Sequence, residues 1–439
     1  MSPRLRFALL AGALFGLAGS TYAYAARRSP PPAPPLTALG PVRSEAEVRD
    51  LDIRFYAARA ARDPTGAMDL ARLAQLYLAR SRETGDYSDV LRADSAARLS
   101  LHHRLSRNAL AAQVLASSLL SEHRFADALD VARTLTALDP ERVSYRAMCG
   151  EIEVELGRYT DARGTFDSLR TQARSLSVAP RLARWEEIEG RPEIARALLR
   201  YAITTAAQRP DLPSEQRAWM WLRLGDVELR TGRPDSAEHD YRAGLVAHPD
   251  DYRIDAALAH LHAVRHEWTA AIDVGNRAIA TVLDPATLGT ISDSYLALGD
   301  TARAAEFAHA MEVAVSKRPG AYHRAWSLFL LDHDRRVPEV LSKARVELRT
   351  RRDIYGYDVL AWALYRSGRY AEAQRTMLRA LSQGTQDALL YFHNGMIERA
   401  AGHPDSARVY LQRALSTNPY FHPTQPDSAR ALLSELTRE

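Results

Sequence analysis

IYGYDVLAWALYRSGRYAEAQRTMLRALSQGTQD, residues 354–387, runs directly into ALLYFHNGMIERAAGHPDSARVYLQRALSTNPYF, residues 388–421. Each stretch is 34 residues long. Each reads as a helical run, a three-residue Gly turn (Gly368-Arg369-Tyr370; Gly402-His403-Pro404) and a second helical run. Small residues stand at equivalent places: Ala361 and Gly395, Ala373 and Ala407, Ala380 and Ala414. A fixed period of this length is the mark of a helix–turn–helix solenoid.

The same phase extends towards the N-terminus. Units begin near Ala67, Ala109, Val143, Leu176, Ala218, Tyr252, Pro285, Arg318, Ile354 and Ala388. Position 8 of the unit reads Ala74, Ala116, Gly150, Ala183, Gly225, Ala259, Ser292, Ala325, Ala361 and Gly395. Position 20 reads Ala128, Ala162, Ala195, Ala237, Ala271, Ala304, Val337, Ala373 and Ala407. Small side chains there let two antiparallel helices approach, while larger apolar residues at helical spacing fill the space between. Pro140, Pro249 and Pro419 fall where a unit's second helix must stop. Pro210 and Pro213 mark an eight-residue excess before Ala218, read as an inter-repeat loop. The unit from Arg318 is the most degenerate, with Asp332-His333-Asp334 in place of the Gly turn. Pro-Asp-Ser-Ala recurs at 234–237, 404–407 and 426–429, with Asp235 and Asp405 placed as N-caps and the third copy opening the last helix, Asp427–Thr437.

With these phased residues the chain resembles the tetratricopeptide repeat family. The resemblance implies an all-α, right-handed superhelical solenoid of about ten repeats. In that family, first-helix positions 2, 5, 9 and 12 line a concave groove that binds partners. Carried onto this sequence, the last three units supply Trp326, Phe329, Tyr355, Asp358, Trp362, Tyr365, Leu389, Phe392, Met396 and Arg399. Position 9 of earlier units gives Glu151, Arg184, Asp226, His260 and Asp293 instead. The expected groove turns from polar to aromatic towards the C-terminus, and an exposed aromatic stripe marks an interaction site. The Lys and Asn of the family's carboxylate-clamp subtype are absent, so chaperone-tail binding is not implied.

Along the chain, five segments are expected. Residues 1–25 read as a signal peptide: Arg4 and Arg6, an uncharged run Phe7–Ala26, and a small-x-small site at Ala23-Tyr24-Ala25. An uncleaved anchor is the rival, since 20 apolar residues just span a bilayer. Residues 26–43 form a Pro-rich linker. Residues 44–66 hold a capping helix opened by Ser44 and Glu47, residues 67–421 the repeats, and residues 422–439 a C-terminal capping helix.

Charge and chemistry narrow the function. Of 58 basic residues, Arg4, Arg6, Arg27, Arg28 and Arg43 precede the first acid, leaving 53 against 54 acidic residues in the remainder. That balance argues against a nucleic-acid footprint. The single cysteine, Cys149, forms no intramolecular disulfide and reads as a buried thiol. His260, His262 and His266 are the best metal candidate; His262 and His266 share a helix face, but no carboxylate completes the set and Glu267 is expected to point elsewhere. There is no Gly-x-Ser-x-Gly elbow and no phosphate loop after a strand. The expectation is a protein without catalytic residues, cofactor or metal. The expected role is that of an exported, periplasmic or envelope scaffold or assembly factor binding a protein or peptide. The alternatives are a receptor holding a small ligand or metal in its groove, and a structural subunit of a homo-oligomer.

Overall fold

The computed structural model describes residues 43–317 and 324–438. The signal segment and the linker up to residue 42 lie outside the described residues. The chain divides into two units, Met1–Val48 and Arg49–Glu439. In the first, Ser44 and Glu47 form a reciprocal cap: the Ser44 N–H donates to Glu47 Oε2 at 2.7 Å, and the Glu47 N–H to Ser44 Oγ at 3.2 Å.

The fold is an all-α, right-handed superhelical solenoid, with no strand among the described residues. Helix α1 (Glu45–Arg62) precedes ten antiparallel pairs. They are α2 (Ala67–Thr84) with α3 (Tyr87–His103), α4 (Ala109–Ser121) with α5 (Phe125–Leu138), and α6 (Val143–Glu155) with α7 (Tyr159–Leu169). Then come α8 (Ala179–Ile188) with α9 (Pro192–Ala207), α10 (Ser214–Arg230) with α11 (Pro234–Ala247), α12 (Tyr252–Val264) with α13 (Trp268–Thr281), and α14 (Pro285–Ala297) with α15 (Thr301–Ser316). The last three are α16 (Arg324–Asp332) with α17 (Val337–Glu347), α18 (Ile354–Arg366) with α19 (Tyr370–Ala380), and α20 (Ala388–Ala400) with α21 (Pro404–Thr417). Helix α22 (Gln425–Leu436) follows. No helix among the described residues is long and apolar enough to cross a membrane.

The phased small residues sit where helices meet. Ala74, Ala116, Ala361, Ala373 and Ala407 are fully buried. A Cβ on Gly225 would lie 2.4 Å from the Tyr241 ring, and one on Gly395 would lie 2.8 Å from Leu411. Eight of the ten first helices end on a left-handed residue at position 15: His123, Gly157, Gly190, Gly232, His266, Gly299, Gly368 and Gly402, and in the first pair it is Gly85, four places late. From Arg49 on, α1 lays Ile53 against Leu73 and Leu76 of the first pair.

Four local expectations change. In the unit from Arg318 the left-handed residue is Asp334, two places late, and a second one, Arg336, precedes α17. Both helices of that pair are therefore shifted: Ala325 is only half-buried, and Val340, not Val337, is buried at the crossing. The inter-repeat loop before Ala218 is shorter than expected: it runs over residues 208–213, and α10 starts at Ser214, immediately after Pro213. Asp235 and Asp405 are not N-caps. Arg233 and His403 hold those places, Pro234 and Pro404 open the helices, and the acids lie in the first turn. There a carboxylate meets the positive end of the helix dipole, and proline loses no hydrogen bond. Likewise α22 opens at Gln425, two residues before Asp427.

The solenoid coils back on itself. The turn after α6 meets the loop before α18: the Arg352 N–H donates to Leu156 O at 3.1 Å, and the Ile354 N–H to Tyr159 Oη at 2.8 Å. The turn after α8 meets the loop before α20, with Gln386 Nε2 donating to Gly190 O at 2.9 Å. Asn418 Nδ2 donates to Leu229 O at 3.0 Å, and His266 Nε2 to Pro423 O at 2.7 Å. Val282, before α14, packs over Gly85. The partners lie up to 197 residues apart in sequence, so successive coils stack rim to rim. Buried apolar residues of α6–α8 and of the last four pairs form one continuous core.

Candidate functional site

Stacking turns the concave groove into an interior. One cavity, about 590 Å³, is bordered by Asp226 and Arg230 of α10, His260 of α12, Asp293 of α14, Phe329 of α16 and Leu389 of α20. The segment Asn418–Pro423 closes one side. A second cavity of about 340 Å³ is lined by Arg184, Arg230, Arg324, Arg351, Tyr355 and Asp387. A third, about 290 Å³, shares Arg184 and Arg230 and adds Arg181, Arg223, Glu151 and Glu155.

The expected aromatic strip is divided between this interior and the core. Tyr355, Tyr365, Leu389, Met396 and Arg399 are half-buried, and Tyr355 and Leu389 reach the cavities. Phe329 borders the larger cavity although only 8% exposed. Trp326, Asp358, Trp362 and Phe392 are packed away. The shift in the unit from Arg318 accounts for Trp326: it turns Arg324 and Leu328 to the cavity and stacks Trp326 on Phe329, 5.9 Å between ring centres. Trp362 is covered on several sides. It stacks on Tyr365 at 4.6 Å and on His393 at 4.2 Å, and its Nε1 donates to Asp332 Oδ1 at 2.9 Å. Phe392 lies 5.5 Å from Phe421 of the returning C-terminal segment.

The polar end holds buried charge in pairs. Asp358 accepts from His393 Nδ1 at 2.7 Å and from Arg324 at 2.9 Å. Burial pushes its carboxyl up, but those two partners win and hold it below the ordinary value. Glu187 takes Arg223 at 2.9 Å, Arg184 at 3.6 Å and Arg230, which together outweigh its burial and lower its pKa. His333 bonds Asp293 at 2.8 Å, which raises the imidazole's pKa. Opposite it, His422 accepts the Thr424 N–H on Nδ1 at 3.2 Å, so the ring is neutral. Burial among His260, His393 and His333 lowers its pKa to about 3.

The histidines considered for metal binding diverge. His260 faces the large cavity. His262 bonds Glu267, which does not point elsewhere, and His266 is the left-handed turn residue stacked on Trp268. Among the described residues no three His, Cys, Asp or Glu side chains converge to hold a metal. Cys149 is buried, and burial pushes its thiol up. Sequence reasoning did not find Arg230, Arg324, Arg351, Asn418 or His422. They matter only through stacking, and repeat phase carries no signal for that.

A family profile described as tetratricopeptide repeat matches residues 114–176, 222–286 and 359–426. The chain is a tetratricopeptide-repeat protein. Such repeats point to a protein-interaction scaffold and are in general non-catalytic. Among solved structures, this tetratricopeptide-repeat protein is similar to one from Parabacteroides merdae, with 16% identity, TM-score 0.36, and 64% of this chain and 100% of that chain covered. It is also similar to a chain of the APC/C hetero-tetramer Cut9-Hcn1, with 12% identity, TM-score 0.34 and coverage of 89% and 93%. No curated protein matches it.

Proposed function

We propose that this tetratricopeptide-repeat protein is an exported scaffold or assembly factor that receives a segment of a partner protein inside its coil. The observation that carries the reading is the cavity of about 590 Å³, where the groove residues Phe329 and Leu389 face a polar wall. An apolar floor with a few placed polar groups is the usual make-up of a binding site. The uncharged Phe7–Ala26 run behind Arg4 and Arg6 supports export, to the periplasm or envelope. A photo-crosslinking residue at Leu389 should give a discrete adduct with an envelope protein in the native host. The same probe at the exposed Leu105 should not. Adducts at Leu105 alone would overturn the reading. Sequencing of the envelope-bound chain should find a new N-terminus near Ala26; recovery of the chain only from the cytoplasm would remove the export half.

A small-ligand receptor is the second reading. The convergence of Asp226, His260, Asp293 and Arg230 on one compact cavity favours it.

A further inference from the structure

The 340 Å³ cavity is lined by four arginines and a single carboxylate. The arginines come from different parts of the chain. Arg184 is on α8 and Arg230 ends α10, both in the first coil, while Arg324 opens α16 and Arg351 lies in the loop before α18, both in the second. Tyr355 stands between them, its ring centre 5.5 Å from the Arg184 guanidinium and 4.8 Å from that of Arg324. The one lining acid, Asp387, is committed as the cap of α20, accepting the Leu389 N–H at 2.9 Å.

We propose that this cavity holds a compact polyanion bearing two or more carboxylate or phosphate groups, gripped by Arg184, Arg230, Arg324 and Arg351 against the ring of Tyr355. This goes beyond the scaffold reading and does not depend on it. Each arginine already has an acidic neighbour: Glu187 for Arg184 and Arg230, Asp358 for Arg324, and Glu155 and Asp353 for Arg351. Those carboxylates fix the guanidiniums in place from behind. A guanidinium has five N–H donors in a planar fork, so one edge can hold a protein carboxylate while another meets a ligand oxyanion. Glu187 is shared among Arg184, Arg223 and Arg230, Asp226 also pairs Arg223 at 2.9 Å, and Asp353 also pairs Arg351 at 2.9 Å, but the lining itself holds four guanidiniums and the one carboxylate of Asp387. Guanidiniums that line one space repel one another in part despite the acids beside them, and an entering anion would relieve that repulsion. Because the grip spans both coils, the anion would clip them together.

Citrate and pyrophosphate are the probes, titrated calorimetrically into the purified full chain against sodium chloride of matched ionic strength. The expected result is one molecule bound per chain, with a thermal midpoint raised by several degrees that chloride does not reproduce; the tighter probe identifies the class as carboxylate or phosphate. Arg184→Gln, which leaves Glu187 with Arg223 and Arg230, should weaken binding at least about tenfold. Arg242→Gln, on an exposed arginine that is not part of the cavity lining, should leave it unchanged. If Arg184→Gln does not fold, Arg184→Lys keeps the charge but loses the fork, and should weaken binding by a smaller factor. Neither probe raising the midpoint beyond chloride, or equal binding by the unmodified chain and the folded arginine variant, overturns the proposal.

Discussion

Gly157 and Gly190 do the same local work as Gly368 and Gly402, in a different setting. All four end a first helix with φ between +70° and +86°, a region that costs other residues about 1–2 kcal/mol. Around Gly368 and Gly402 nothing lies within 4 Å of where a Cβ would be. At Gly157 that Cβ would sit 2.2 Å from Arg352 O, and at Gly190 2.3 Å from Gly384 O. One pair of glycines supplies only a turn. The other pair also supplies the surface on which the next coil rests. A repeat can thus satisfy a long-range demand with the residue its local geometry already requires.

The largest effect should come from breaking the stacked pair. Gly157→Ala with Gly190→Ala adds left-handed strain and pushes apart two backbones that cannot bend away as a side-chain tip would. We expect a loss of roughly 5 kcal/mol by urea denaturation and a larger radius of gyration by solution scattering. A loss no greater than that of Gly368→Ala with Gly402→Ala, at an unchanged radius, would falsify the stacking account.

Trp362→Ala tests whether the second coil's rings are packed away. At 3% exposure, truncation should cost roughly 4 kcal/mol. A thermal midpoint that barely moves would return Trp362 to the list of open groove residues.

Acid should loosen the returning segment next. The unfolded chain protonates His422 near 6.5 but the folded coil only near 3. The stabilisation is thus complete above pH 6.5 and is lost as pH falls towards 3. By pH 4 the loss should be roughly 3 kcal/mol. His260, lowered by burial, acts in the same direction. His333 acts in the opposite sense: its raised pKa contributes stability below 6.5 that disappears as pH rises through its folded value. His422→Asn can still accept the backbone N–H groups at the start of α22, and it should flatten the acid limb of a midpoint-against-pH curve. A limb as steep as the parent's would assign the acid loss to other groups.

The smallest effect sharpens the comparison from its other side. Gly368→Ala should cost only about 1 kcal/mol, the strain of the turn itself. A cost above about 3 kcal/mol would mean that this rim, too, is covered by something.

The fold was legible because each unit repeats a local rule. Ala361, Ala373 and Gly395 mark helix crossings wherever the unit recurs, and so the pairs could be placed to within a few residues. The unit from Arg318 failed because Asp334 and Arg336 take left-handed conformations that glycine usually announces. The groove residues were legible by position, but their exposure was not. Trp362 and Phe392 stand where an open groove would present them, and burial comes from His393, Tyr365 and Phe421. Nothing in a 34-residue period says that the Gly190 turn will meet Gly384 or that Asn418 will reach Leu229. The pitch that decides those meetings is a sum of small rotations over many units, each too slight to read from side-chain types.

The meeting of Asn418 with Leu229 and of His266 with Pro423 has a consequence in time. Helix pairs can form as the chain appears, each needing only its neighbour. The rims cannot meet until residues up to 197 positions later exist, and closing so long a loop costs entropy that must be met before any contact repays it. Assembly therefore has a fast local phase and a slow closing phase that waits for the final turn of the chain. A ribosome that stalls before Asn418 would release a molecule with helical content nearly complete and its larger cavity open on the side that Asn418–Pro423 closes. Limited proteolysis of chains stopped at successive lengths would follow that closing step directly.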